Sequence, residues 1–381
     1  MSYQSTVDFI RAHFNTKEFI PLHAPVFPGR EKEYLNECID STFVSYVGRF
    51  VGTFEEQTAA FTGAKYAVAC VNGTAALHIA LVLAGVKEGD EVISPALTFV
   101  ATANAIAYCR AYPLFADCER DTLGLDPAKL GEWLTANAEV RNDGFCYNKS
   151  TGRRISCCVP MHTFGHAVRM DELMVVCNKF NIPVVEDAAE SLGTWYKGKH
   201  TGTFGKLGIL SYNGNKTVTT GGGGMIITDD EALAKKAKHI TTTAKVPHRW
   251  DFVHDELGYN YRMTNVSAAI GVAQMEKIDF ILSNKRETAE AYRKFFAGSE
   301  VEFFAERDFC RSNYWLNVVL LKNRDERDKF LTFTNDNGVM TRPIWTLMNK
   351  LQMYSNCPVM NLDNSQWLED RVVNIPSSVR L

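Results

Sequence analysis

The chain has 381 residues, with 41 basic and 44 acidic side chains and a formal net charge of −3. At about 150 residues per domain this length predicts two domains, and 46% hydrophobic against 22% charged residues excludes a largely disordered chain. The near-neutral balance gives no footprint for nucleic acid, no apolar run reaches the roughly 18 residues that cross a bilayer, and the N-terminal MSYQSTVDFIRAHFNTKEF lacks the uninterrupted core of a signal peptide. A soluble cytoplasmic protein is expected, with neither nucleic-acid nor membrane partners.

In chain order, YAVACV (66–71) predicts a strand that leads through Asn72-Gly73-Thr74 into an apolar helix, AALHIALVLAG, stopping at Gly85. EVISP (91–95), YPLFADC (112–118), ISCCVPMH (155–162), IPVVEDAAES, LGILSYN and GMIITDD continue a series of short apolar strands, separated by helix-like stretches such as FVATANAIAYC and MDELMVVCNKF. Apolar strands without polar alternation predict a mainly parallel sheet covered on both faces. Residues 25–245 therefore read as one large α/β domain, with 141–155 a polar excursion between the helix near 127–138 and the next strand. A long helix is predicted around 265–297. Residues 246–381 read as an interface helix and a smaller α+β domain, with residues 1–24 an arm packed against it. Ten cysteines without C-x-x-C spacing read as buried free thiols of a reducing compartment.

Three features carry chemistry. A strand running into Gly73 and Thr74 at a helix start offers free N–H groups, a hydroxyl and the positive end of a helix dipole, the ingredients of a phosphate site; alone, Thr74 reads as the helix cap. Glu186-Asp187-Ala188-Ala189-Glu190 follows an apolar strand, where doubly wound sheets place their ligands, or caps a following helix. Ser211-Tyr212-Asn213-Gly214-Asn215-Lys216-Thr217, then four glycines (221–224), brings a lysine out of a strand end. Asn215 breaks P-loop spacing, and the glycines precede a strand instead of opening a helix, so neither nucleotide fingerprint is met. Together these groups supply a phosphate cradle, a carboxylate for a pyridine nitrogen and a lysine for an aldehyde, which is what pyridoxal 5′-phosphate (PLP) requires.

These residues lie in blocks that resemble, in order, those of the DegT/StrS sugar aminotransferases: VNGTAALHIAL, PALTFVATANAI, VPMHTFGH, VVEDAAESLG, SYNGNKTVTTGGGG and GYNYRMTNVSAAIG. PLHAPVFPGREKEYLNECIDSTFVS, TTTAKVPHRW and the ending NIPSS resemble the branch of legionaminic acid synthesis. The resemblance implies a fold-type I (aspartate aminotransferase-like) enzyme that cycles PLP through pyridoxamine 5′-phosphate. It implies that Lys216 holds the cofactor covalently, Asp187 pairs with the pyridinium nitrogen, Gly73, Thr74 and Ser211 bind the phosphate, and Phe99 stacks on the ring. It also implies that Asn260 reaches the phosphate across a homodimer interface, making the active site shared.

Two positions depart from the family pattern. GGGG stands where GEGG is common. Glu190 replaces a usual Gln or His beside the cofactor's phenolic oxygen, where a carboxylate repels charge unless protonated or turned aside. The implied reaction is amination of a nucleotide-linked 4-keto-6-deoxy sugar with L-glutamate, releasing 2-oxoglutarate. The implied substrate is UDP-2-acetamido-2,6-dideoxy-α-D-xylo-hex-4-ulose and the product UDP-4-amino-4,6-dideoxy-N-acetyl-D-glucosamine, of bacillosamine or legionaminic acid type, for surface polysaccharide; a GDP- or dTDP-linked sugar is the alternative. Lys216 argues against a deoxygenating dehydratase, which carries His there, and Lys216 with Asp187 argues against a non-catalytic regulator. HTFGH lacks the Glu of a zincin, so no metal is expected, and the aromatics of YNYRM and NYWLNVV read as core or interface.

Overall fold

The computed structural model describes residues 2–381. Seven strands form its central layer: β1 (Tyr66–Cys70), β2 (Glu91–Pro95), β3 (Tyr112–Ala116), β4 (Arg154–Cys158), β5 (Val185–Asp187), β6 (Leu207–Ser211) and β7 (Gly224–Thr228). They lie in two abutting sheets, β1-β7-β6-β5 and β3-β2-β4, the second extended by a hairpin of Ala138–Val140 and Cys146–Asn148. Single parallel bridges, Cys158 to Val184 and Met161 to Asp187, join β4 to β5. The β2–β3, β2–β4 and β5–β6 pairs are parallel, whereas β7 runs antiparallel to β1 and β6. This is the fold-type I architecture expected from the sequence. The excursion at 141–155 is thus partly strand: its hairpin adds to the sheet edge and Asn148 donates to the buried Glu91 at 2.8 Å.

The helix Gly73–Ala84 begins where Asn72 accepts from the N–H of Ala75 at 2.7 Å, and ends at Gly85 in the left-handed region at φ 91°. Its residues Leu77, Ile79, Ala80 and Leu81 are buried with Val68, Val92, Val185, Ile209 and Ile226, so one helix covers five strands' side chains. Burial at about 25 cal/mol per Å2 of apolar surface fixes that helix, and hence its N-terminus, against the sheet.

The helix predicted around 265–297 is two helices, Asn265–Met275 and Ile278–Phe296. The first is buried nearly all round and packs with Phe50, Phe54, Tyr212 and Met225. The second is amphipathic and faces the C-terminal sheet through Ala289, Tyr292 and Phe296. The chain breaks at Glu276-Lys277 because the two helices bury different faces against different layers. The C-terminal sheet pairs Asn317–Leu320 with Glu302–Phe303 and with Val372–Ile375, which in turn pairs Arg342–Pro343. Val7 and Ile10 of the first helix, Tyr3–His13, join its apolar cluster with Phe330 and Val373. Eight of the ten cysteines are buried and two are half-buried. Among the described residues, no helix is long and apolar enough to cross a membrane.

Candidate active site

A cleft of about 250 Å3 opens at the carboxyl ends of β1, β5 and β6, where an α/β sheet presents its ligand site. Gly73, Thr74, Phe99, Asp187, Glu190, Ser211 and Lys216 all line it. Asn260 does not: it is exposed, on a bridge to Thr242. Asn72 and Met161, which sequence reasoning passed over, line it as well.

Local structure explains the convergence. Asn72, not Thr74, is the helix cap; its side chain satisfies Ala75 and its carbonyl satisfies Ala76. Asparagine is the better cap because its short carboxamide reaches the third N–H with extended backbone. The N–H groups of Gly73 and Thr74 therefore head the helix ahead of the capped ones, with the dipole behind them. A side chain at Gly73 would place its Cβ 2.9 Å from the Cβ of Ser211, and one at Gly224 would meet the Asn72 carbonyl oxygen at 2.3 Å. These two glycines let the helix N-terminus approach the end of β6 and the start of β7 to contact.

Asp187 ends β5 and is buried. Its carboxylate accepts from the Thr102 hydroxyl at 2.7 Å and from the Ala189 N–H at 3.2 Å, neither of them a cation. Burial pushes the Asp187 carboxyl above its usual range, against the lowering by Thr102, the Ala189 N–H and Lys216. No helix follows β5; residues 188–193 turn back, which leaves the strand end open to the cleft. Glu186, by contrast, points away and accepts from the N–H groups of Gly202, Phe204 and Gly205 at 2.6–2.7 Å and faces His162 Nε2 at 3.0 Å. His162 Nδ1 accepts from Val168 N–H at 3.3 Å, which commits both ring nitrogens to structure. His166 is buried against Phe304 and Tyr314.

Glu190 is 3% exposed and receives the Phe164 N–H at 2.9 Å and the Lys216 amine at 3.3 Å. Phe164 aims that N–H from a left-handed conformation, φ 55° and ψ 15°, which a bulky residue adopts only when its surroundings impose it. Burial pushes the Glu190 carboxyl up to about 7, with Lys216 and the Phe164 N–H pulling the other way. The Lys216 amine also lies 3.8 Å from the centre of the Trp315 ring, a contact invisible in the sequence. Phe99, the residue before the helix Val100–Tyr108, has its ring 6.1 Å from that of Trp345.

These groups suit PLP. A buried carboxylate with no cation partner is matched by a protonated pyridine nitrogen. A helix start held open by two glycines, with the Ser211 hydroxyl beside it, is matched by a phosphate, and a half-buried primary amine by an aldehyde. The model of the DegT/DnrJ/EryC1/StrS aminotransferase family matches residues 28–381. The chain belongs to this family. It is a sugar aminotransferase, and PLP is its cofactor. Similar proteins include the GDP-perosamine synthase of Escherichia coli O157:H7, 38% identical over 338 residues that cover 89% of this chain and 88% of that protein. The GDP-perosamine synthase of Vibrio cholerae is 36% identical over 363 residues, covering 94% of each chain. The crystal structure of the aminotransferase TlmJ from Streptoalloteichus hindustanus shares the fold, with a TM-score of 0.85 at 24% identity over 94% of this chain and 93% of that one.

Proposed function

We propose that the enzyme moves an amino group from L-glutamate to C4 of a nucleotide-linked 4-keto-6-deoxy sugar. One observation carries this reading: the Lys216 amine, the buried Asp187 carboxylate and the Gly73–Ser211 contact converge on a single cleft. When bound, PLP supplies an electron sink that stabilises negative charge at the donor's Cα. Asp187 holds the pyridine-nitrogen proton in place, since its buried charge gains its missing counter-charge there. The N–H groups of Gly73 and Thr74 and the Ser211 hydroxyl hold the phosphate, and Phe99 covers one ring face. Lys216 would hold the cofactor covalently and, with its amine free, would move a proton at the donor's Cα as general acid and base. Glu190, beside Lys216, would keep its proton and so present no charge to the bound cofactor.

In this reading residues 25–245 supply these groups, and residues 246–381, with the arm 1–24, close over them. Exposed Asn260 serves the phosphate site of a second subunit, which makes a homodimer the catalytic unit. The three branch motifs support a UDP-linked 2-acetamido sugar and the bacillosamine-type product. The GDP-perosamine synthases favour a GDP-linked sugar as the second reading. Single-turnover mass analysis of protein loaded with pyridoxamine 5′-phosphate, offered the UDP- and GDP-linked 4-keto sugars separately, tests both. Amination of one ketone identifies the base. Amination of neither, with glutamate still bleaching the PLP form, refutes the substrate and retains the aminotransferase.

A further inference from the structure

Trp315 sits where three independent contacts fix it beside the reacting lysine. Its indole N–H donates to the Asn215 carbonyl at 2.7 Å, one residue before Lys216. Its backbone N–H donates to Asn313 Oδ1 at 2.8 Å, while the Asn313 amide donates to the Glu190 carbonyl at 3.0 Å and to Thr217 at 3.3 Å. Its carbonyl accepts from Lys285 at 3.1 Å. The segment therefore grips the residues on both sides of Lys216 as well as the backbone of Glu190.

Lys285 is a fully buried lysine without a carboxylate partner. Its amine donates to the Ser377 carbonyl at 2.7 Å and to the Trp315 carbonyl, and meets His23 Nε2 at 3.0 Å. Burial draws Lys285 down to about 7, and the two backbone carbonyls beside it can only accept from it. One buried amine thus ties the arm, the C-terminal segment and the Trp315 loop together. Such a group is expensive to bury and adds nothing to an apolar core, so its use here lies in what it holds.

We propose that Trp315, pinned by Lys285, is a positioning residue for Lys216: the indole face receives the lysine amine when it is free of the cofactor and stabilises it while it carries a proton. The inference rests on Lys216 being the proton carrier. An indole face attracts a desolvated ammonium and gives a neutral amine no comparable gain. Trp315 therefore favours arrival of the proton on Lys216, and its contact with Asn215 fixes the backbone from which the amine swings. The charged and titratable groups around that amine come from each neighbouring element: Asp187 at the end of β5, Glu190 in the turn after it, and His23 of the arm. Burial, Lys285 and Lys216 keep His23 neutral by lowering its pKa.

The test reads Lys216 directly. In the full chain stripped of cofactor, the reaction of Lys216 with cyanate is followed by peptide mass from about pH 6 to about pH 11, bracketing an ordinary lysine. Trp315→Leu lowers the midpoint by about one pH unit, a roughly tenfold gain in neutral amine at a given pH below it. Trp315→Phe, which keeps a weaker face and loses the N–H, lowers it less. Lys285→Met lowers it in the same direction by freeing the loop. A midpoint equal to the parent's in a folded Trp315→Leu protein overturns the proposal. If that variant does not fold, unchanged midpoints in both Trp315→Phe and Lys285→Met overturn it. In the holoenzyme, bleaching by protiated and α-deuterated L-glutamate shows a larger isotope effect in Trp315→Phe, which a merely structural role does not produce. Failure of glutamate to bleach the parent refutes the donor assignment and leaves the titration to decide Trp315.

Discussion

Glu190→Gln tests the electrostatics of the site without touching its shape. The carboxyl is buried, and its pKa is pushed from the usual 4.5 up to about 7, chiefly by burial. Below pH 4.5 Glu190 is protonated in folded and unfolded chains alike, and its ionisation adds no penalty to folding. As pH rises from 4.5 to about 7 the unfolded chain releases the proton first, so folding loses about 1.4 kcal/mol per pH unit. Above 7 the loss is constant at about 3 kcal/mol, the gap between the two values multiplied by that slope. The attraction of Lys216 is already contained in the value of about 7, since that ammonium pulls it down. Gln keeps the oxygen that accepts from the Phe164 N–H and never ionises.

Chemical denaturation of the stripped protein, parent against Glu190→Gln, should therefore show a stability difference that grows in favour of Gln between about pH 5 and about pH 7.5 and then levels. The half-buried Lys216 amine loses its partner in the variant, which makes about 3 kcal/mol a ceiling for the change. A difference independent of pH across that window refutes the assignment of a retained proton to Glu190. The same variant, loaded with PLP, should keep its visible absorbance.

Lys216→Ala should abolish both the visible absorbance of bound cofactor and turnover; retention of both assigns the chemistry to another lysine. Asp187→Asn should leave the fold intact by circular dichroism and slow single-turnover bleaching by glutamate at least about 100-fold, and parental kinetics refute its role at the pyridine nitrogen. Gly73→Ala puts a Cβ against Ser211 at 2.9 Å; a weakening of PLP binding of about tenfold is expected, and an unchanged affinity by fluorescence titration counts against the phosphate cradle. Asn260→Ala should speed cofactor loss on dialysis while leaving the cleft of its own subunit unaltered, and identical retention removes the shared site.

The sequence carried much of this architecture because its strands are short apolar runs that no other element accommodates. Periodicity also located the helices Gly73–Ala84 and Met170–Lys179, and Asp187 and Ser211 stand at strand ends with Lys216 in the loop just beyond one of them, where chain order alone places them near a ligand. The break at Glu276-Lys277 was not legible, because the apolar pattern continues through it and only the change of packing partner interrupts the helix. The cap at Asn72 was misjudged in favour of Thr74, since two adjacent polar residues at a helix start compete and backbone geometry chooses between them. Glu186 and Asp187 are adjacent and chemically alike; pleating alone sends one into a cage of N–H groups and the other into the cleft.

Order along the chain determined which residues could form the site, since a motif fixes side-chain identity and spacing within a few residues. Tertiary structure alone decided what stands opposite them. Trp315 lies 99 positions beyond Lys216, and Lys285, His23 and Ser377 come from three further stretches of chain. Their meeting depends on how the C-terminal layer docks on the sheet, a consequence of buried surface summed over many contacts, and no local pattern of residues encodes it.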